Sequence, residues 1–178
     1  MDFQLPYVLE LLSATPELLS SCFKHLPGDY SNKNEGSGTW SPFDVLGHLV
    51  HGEKTDWIPR ARIILEEGED RPFDPFDRFA MLDSSKGKTV DDLLAEFTEL
   101  RKRNLQTLRS WNLTTADLQK TGTHPALGRV TLEQLLSTWV VHDFDHLTQI
   151  FRTAAKQLDK EVGPWRAYLS ILSERLTS

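Results

Sequence analysis

The sequence predicts an all-α fold, an antiparallel four-helix bundle with an extra short helix at its C-terminal end. Three observations lead there. Four long segments carry apolar residues at helical spacing, the breaks between them are rich in Gly, Pro, Asn and Ser, and strand signals are weak throughout. With 178 residues the chain suits a single domain over 1–178, long enough to bury a core.

The first helix is expected from about Pro6 to Leu26, with Val8, Leu12, Leu19 and Phe23 on its apolar face and Pro16 placed to kink or split it. Residues Pro27 to Thr39 read as a loop of turn formers. Ser41 and Pro42 then open a second helix, as N-cap and first helical residue, expected to reach about Glu67 with Pro59 as a kink point. A polar segment from Gly68 to Lys88 follows, too long for a simple helix connection. The third helix spans roughly Val90 to Trp111, with Asp91 and Asp92 in the first turn, where the helix dipole favours them. After a loop that includes His124-Pro125-Ala126-Leu127-Gly128, Thr131 and Gln134 have the spacing of a capping box. The fourth helix they open runs to about Lys156, and Pro164 begins a last short helix ending near Leu176.

Composition excludes several function classes. The formal net charge is −6, and the densest basic stretch, Arg101-Lys102-Arg103, lies beside Glu96 and Glu99. It reads as a solvated helix face, so no nucleic-acid partner is expected. No run of about 18 apolar residues marks a membrane span. No basic region precedes the first apolar stretch, so no signal peptide is expected. Cys22, the single cysteine, excludes an intrachain disulfide and sits in an apolar pattern as an inert thiol; the cytoplasm is the expected compartment.

The chemistry concentrates on the fourth helix. At about 100° per residue, Leu132, Leu136, Trp139, Asp143, His146, Leu147 and Ile150 share one arc, with His142 at its edge. A buried carboxylate without a partner costs on the order of several kcal/mol, so a cation near Asp143 is expected. Residues four apart project from one helix face, which lets His142 and His146 direct nitrogens at one divalent ion about 2.1 Å from each. A third ligand must come from another helix. His25, His48, His51 and His124 are the candidates, and periodicity leaves the choice open: His48 falls outside the apolar arc of the second helix and His51 lies nearer its edge. Asp143 and Glu53 are candidate general bases, although Asp143 fits better as a hydrogen-bond partner of a backbone group or of a neighbouring histidine that it orients. Arg60, Arg62 and Arg152 are candidate carboxylate binders that read more simply as surface residues, and Trp40, Trp57, Trp139 and Trp165 read as core.

Two stretches, Trp40-Ser41-Pro42-Phe43-Asp44-Val45-Leu46-Gly47-His48-Leu49 and His142-Asp143-Phe144-Asp145-His146-Leu147-Thr148-Gln149-Ile150, together resemble the paired motifs of the DinB/YfiT-like superfamily. His124 to Thr131 and Gly163-Pro164-Trp165 are similar in the same order along the chain. The resemblance implies a four-helix bundle that holds a divalent metal, zinc or nickel, on His48, His142 and His146, and it alone selects His48. It also implies pairing into homodimers. Three protein ligands with an open position describe a catalytic site. The resemblance implies a small-molecule substrate, with thiol-dependent transfer from a low-molecular-weight thiol as the first expected chemistry. The alternatives are hydrolysis by an activated water and a non-catalytic metal-binding bundle.

Overall fold

The computed structural model describes residues 3–173. Helix α1 (Leu5–His25) stays one helix despite Pro16. A proline leaves the carbonyl four residues back without its donor. That carbonyl, on Leu12, accepts instead from Arg101 Nη1 at 2.7 Å. The loop after it holds a 3-10 turn, Tyr30–Asn32.

The expected second helix is two helices, α2 (Pro42–Thr55) and α3 (Trp57–Glu66), separated at Asp56. The break lies one turn before Pro59 because the ring of a proline at 59 is turned against the carbonyl of residue 55. At its start α2 has the expected Ser41 cap, which Asp44 completes as a capping box.

The polar segment contains α4 (Ala80–Ser84) and anchors itself with the buried Phe73 and Met81. Capping boxes also open α5 (Val90–Ser110), α6 (Thr115–Leu118) and α7 (Leu132–Lys156), from Thr89, Thr114 and Thr131. Part of the expected loop before α7 is a hairpin of β1 (Thr121–His124) and β2 (Gly128–Thr131), paired from Thr121↔Thr131 to His124↔Gly128. Gly128 has φ +74°, a conformation glycine takes without strain. Where a last helix was expected the chain makes 3-10 turns at Gly163–Tyr168 and Ser170–Leu172; the expected end at Leu176 lies outside the described residues.

α1 and α2 each pack on both α5 and α7, which closes a four-helix ring. One apolar slab holds Leu12 of α1, Ile64 of α3, Leu105 of α5 and Leu136 of α7. The other holds Leu19 of α1, Leu46 of α2, Phe97 of α5 and Ile150 of α7. The order of slabs along each helix fixes direction: α1 and α7 run one way, α2 and α5 the other. Between the slabs lies a polar layer with one residue from each bundle helix: Thr15, Glu53, Arg101 and Asp143.

Candidate metal centre

In that layer Arg101 Nη1 and Nη2 donate to the two oxygens of Asp143, at 2.7 and 3.0 Å. Nη2 also donates to Glu53 Oε1 at 2.9 Å. Thr15 Oγ1 donates to Asp143 at 2.7 Å, and Trp139 Nε1 and Asn104 Nδ2 donate to Glu53, each at 2.9 Å. Arg101 is 1% exposed, so the basic stretch read as solvated puts its first residue in the core. The signal was present: Leu93, Phe97, Arg101 and Leu105 repeat every four residues on one stripe of α5. Burial opposes the charge on Arg101, but Asp143 and Glu53 outweigh it and raise its pKa. Burial raises the Glu53 carboxyl against the pull of Arg101. The cation expected near Asp143 is therefore this guanidinium. Both candidate bases are engaged by it, and the hydrogen bonds of Asp143 go to Arg101 and Thr15.

The histidines converge beside this layer. His48 on α2 faces His142 and His146 on α7, and His142 Nε2 stands 3.1 Å from Nε2 of each of the other two. One nitrogen from each of the three lies within 4.8 Å of the others. Gln149 Oε1 lies 3.0 Å from His146 Nδ1; accepting the Nδ1–H proton leaves Nε2 as a lone pair. Burial pushes His48 down to about 3 and His142 down to about 2, and His146 adds to both shifts. The rings of His48 and His142 are thus neutral at pH 7, and the three facing nitrogens are close enough to share a proton or a cation. Nitrogens bound to one tetrahedral ion at about 2.1 Å stand roughly 3.4 Å apart, so the donor set and its spacing fit a divalent ion. Of the other candidates, His25 is exposed near the end of α1, His51 Nε2 lies 3.5 Å from Thr55 Oγ1, and His124 sits on β1; none joins the cluster.

His48 reaches this position although it lies off the apolar arc of its helix. α2 is covered by α4, α5 and α7 and is buried on nearly every face, so one arc does not describe its environment. Gly47 permits that closeness, because a Cβ there would stand 2.5 Å from Ser85 Oγ. Aromatic rings surround the cluster: Trp40 lies 4.9 Å and Phe76 5.4 Å from the His48 ring, and Trp57 lies 5.0 Å from that of His142.

The three histidines line a pocket of about 400 Å³. Its walls bring together the α2–α3 break, the polar segment, the hairpin and α7, and carry Asp56, Arg60, Phe73, Arg78 and His124. Asp56, at the break, pairs with Arg60 Nε at 2.5 Å. Burial outweighs that partner and pushes the Asp56 carboxyl up to about 6. The polar segment is tied to the hairpin by Phe73 N–H, which donates to Thr123 O at 2.9 Å, and by the close approach of Gly122 to Phe73 and Ile64. Sequence reasoning missed Asp56, Arg78 and the hairpin as parts of the site. Arg62 pairs with Glu66 and Arg152 with Glu35, and neither lines the pocket.

Residues 11–150 match the model of the DinB superfamily. Among solved structures the chain is similar to YfiT from Bacillus subtilis, described as a probable metal-dependent hydrolase with an unusual four-helix bundle topology. The two share 23% sequence identity and superpose with a TM-score of 0.73 over 88% of this chain and 90% of that one. No curated protein matches the sequence.

Proposed function

Because the chain belongs to the DinB superfamily, we propose that His48, His142 and His146 hold a divalent metal ion, zinc or nickel, and that the protein is a metal-dependent enzyme acting on a small molecule. The observation that carries this reading is the convergence of three imidazole nitrogens on the wall of a pocket. When bound, such an ion supplies a Lewis acid that lowers the pKa of a thiol or a water beside it.

Thiol transfer is the first reaction. A low-molecular-weight thiol loses its proton, its sulfur forms a bond to an electrophilic carbon, and the displaced group leaves with a proton. The support lies in the two buried carboxylates beside the histidines: Glu53 and Asp143 are held by Arg101, and a thiol acidified by a cation needs no carboxylate base. Hydrolysis is the second, favoured by Asp56, a pocket carboxyl with a pKa near neutrality suited to a general base.

Elemental analysis of untagged protein tests the metal. The wild type is expected to carry about one ion per chain and His48→Ala none, whereas loss in His51→Ala with retention in His48→Ala overturns the ligand set. Turnover of thiol and electrophile pairs, absent without thiol, supports transfer. Hydrolysis of esters or amides without thiol, abolished by Asp56→Asn, supports the second reading and sinks the first. We further propose a second copy of the chain as partner for the exposed apolar residues of the neighbouring helices α1 (Tyr7, Leu11, Leu18) and α7 (Val141, Phe144, Phe151). A monomeric mass by light scattering overturns that pairing.

A further inference from the structure

We infer that the substrate carries a carboxylate and that Arg78 is the residue that receives it. This rests on the reading of the pocket as the substrate site. Arg78 shares the pocket wall with the three histidines. Its guanidinium lies 5.1 Å from the Trp40 ring and 5.4 Å from that of Phe79. Aromatic support of this kind holds the guanidinium while leaving its N–H edge unengaged.

The charge around it is unbalanced. Among the described residues every arginine except Arg78 and Arg109 stands within ion-pair distance of a carboxylate, and Arg109 donates to Ser13. Asp77, next in sequence, turns to the backbone, where its Oδ1 accepts from Phe79 N–H at 2.9 Å. The carboxylate on the pocket wall, Asp56, is already paired with Arg60. Two arginines against one aspartate leave the wall one positive charge in excess, in a chain whose net charge is −6. An ion on the histidines would add to that excess.

The remaining walls say what the rest of the molecule looks like. Trp57, Phe73, Phe76 and Leu135 are apolar surface between the polar groups. His124 adds a neutral donor: its Nδ1 accepts from Ala126 N–H and Leu127 N–H, both at 3.1 Å, which places the ring proton on Nε2. The complementary ligand is a small molecule with an apolar body and one carboxylate, bound by two parallel N–H···O bonds from one guanidinium.

Titration with benzoate and with its neutral isostere benzamide, read by the fluorescence of the pocket tryptophans Trp40 and Trp57, tests this in chelator-treated and zinc-loaded protein. Benzoate is expected to bind at least about tenfold more tightly than benzamide in both forms, the scale of a charged hydrogen bond. In chelator-treated protein Arg78→Gln is expected to abolish that preference, leaving benzamide affinity, and zinc content after loading, at wild-type values. Equal binding of the two probes to the wild type, no binding of either, or a preference that survives Arg78→Gln in chelator-treated protein overturns the inference. A chain that takes up no metal yet prefers benzoate through Arg78 refutes the metal centre and upholds the carboxylate site, so the two readings fail separately.

Discussion

At neutral pH the imidazoles of His48 and His142 are uncharged in the fold, held at about 3 and about 2 chiefly by burial. In the unfolded chain they titrate near the ordinary value of 6.5. Their contribution to stability is therefore complete above pH 6.5 and is lost as pH falls toward the folded values, because the unfolded chain takes up protons that the buried rings refuse. Urea unfolding of metal-free protein at pH 7.5 and 5.5 should record a loss on the order of 1 kcal/mol per histidine. His142→Gln should remove its share; an unchanged pH dependence contradicts the assignment. Arg101 belongs to the same scale. It pairs with both Glu53 and Asp143 and donates to the Leu12 carbonyl that Pro16 leaves without a donor. Arg101→Met should cost about 3–5 kcal/mol by leaving buried carboxylates unpaired. Arg101→Lys should recover only part, since one ammonium cannot reproduce the fork. The Arg101 stripe was visible in the spacing of α5, whereas its partners were not, because pairing across helices leaves no periodicity in either strand of sequence.

Among the elements, those announced by local chemistry were the legible ones. Ser41 and Thr131 act as the caps they resemble, because a capping box is complete within four residues. The hairpin was missed since four-residue strands are too short to display an alternation, and its packing comes from Phe73 and Ile64 far away in sequence. That dependence can be measured. A Cβ on Gly122 would stand 2.8 Å from Ile64 Cγ1 and 2.9 Å from the Phe73 ring. Gly122→Ala should therefore destabilise the fold by about 1–3 kcal/mol, the cost of overpacking. The same change should weaken ligand binding in the pocket, because His124 rides on β1 and the Phe73 anchor is shared. Gly128→Ala, strained but without a close neighbour, separates backbone strain from crowding.

For the whole molecule, the helix ring brings α2 and α7 together although they are far apart along the chain. The three-histidine set was legible only through the combined motifs, since His48 and His142 are 94 residues apart and no local pattern links them. A divalent ion that binds only the folded chain at 100 times its dissociation constant should add about 2.7 kcal/mol of stability. That separation also bears on the order of events during folding. A chain emerging from the ribosome with α1, α2 and α5 formed carries one of the three nitrogens, and the other two arrive only with the last long helix. With the proposed ligand set, an ion would therefore latch a bundle already closed rather than seed it. Stopped-flow measurements should find zinc slowing unfolding while leaving the refolding rate unchanged. Zinc-accelerated refolding would place the site in the folding nucleus. On the latch account, zinc loss would come before bundle opening, and the lifetime of the loaded protein in a chelator would report how often the latch releases.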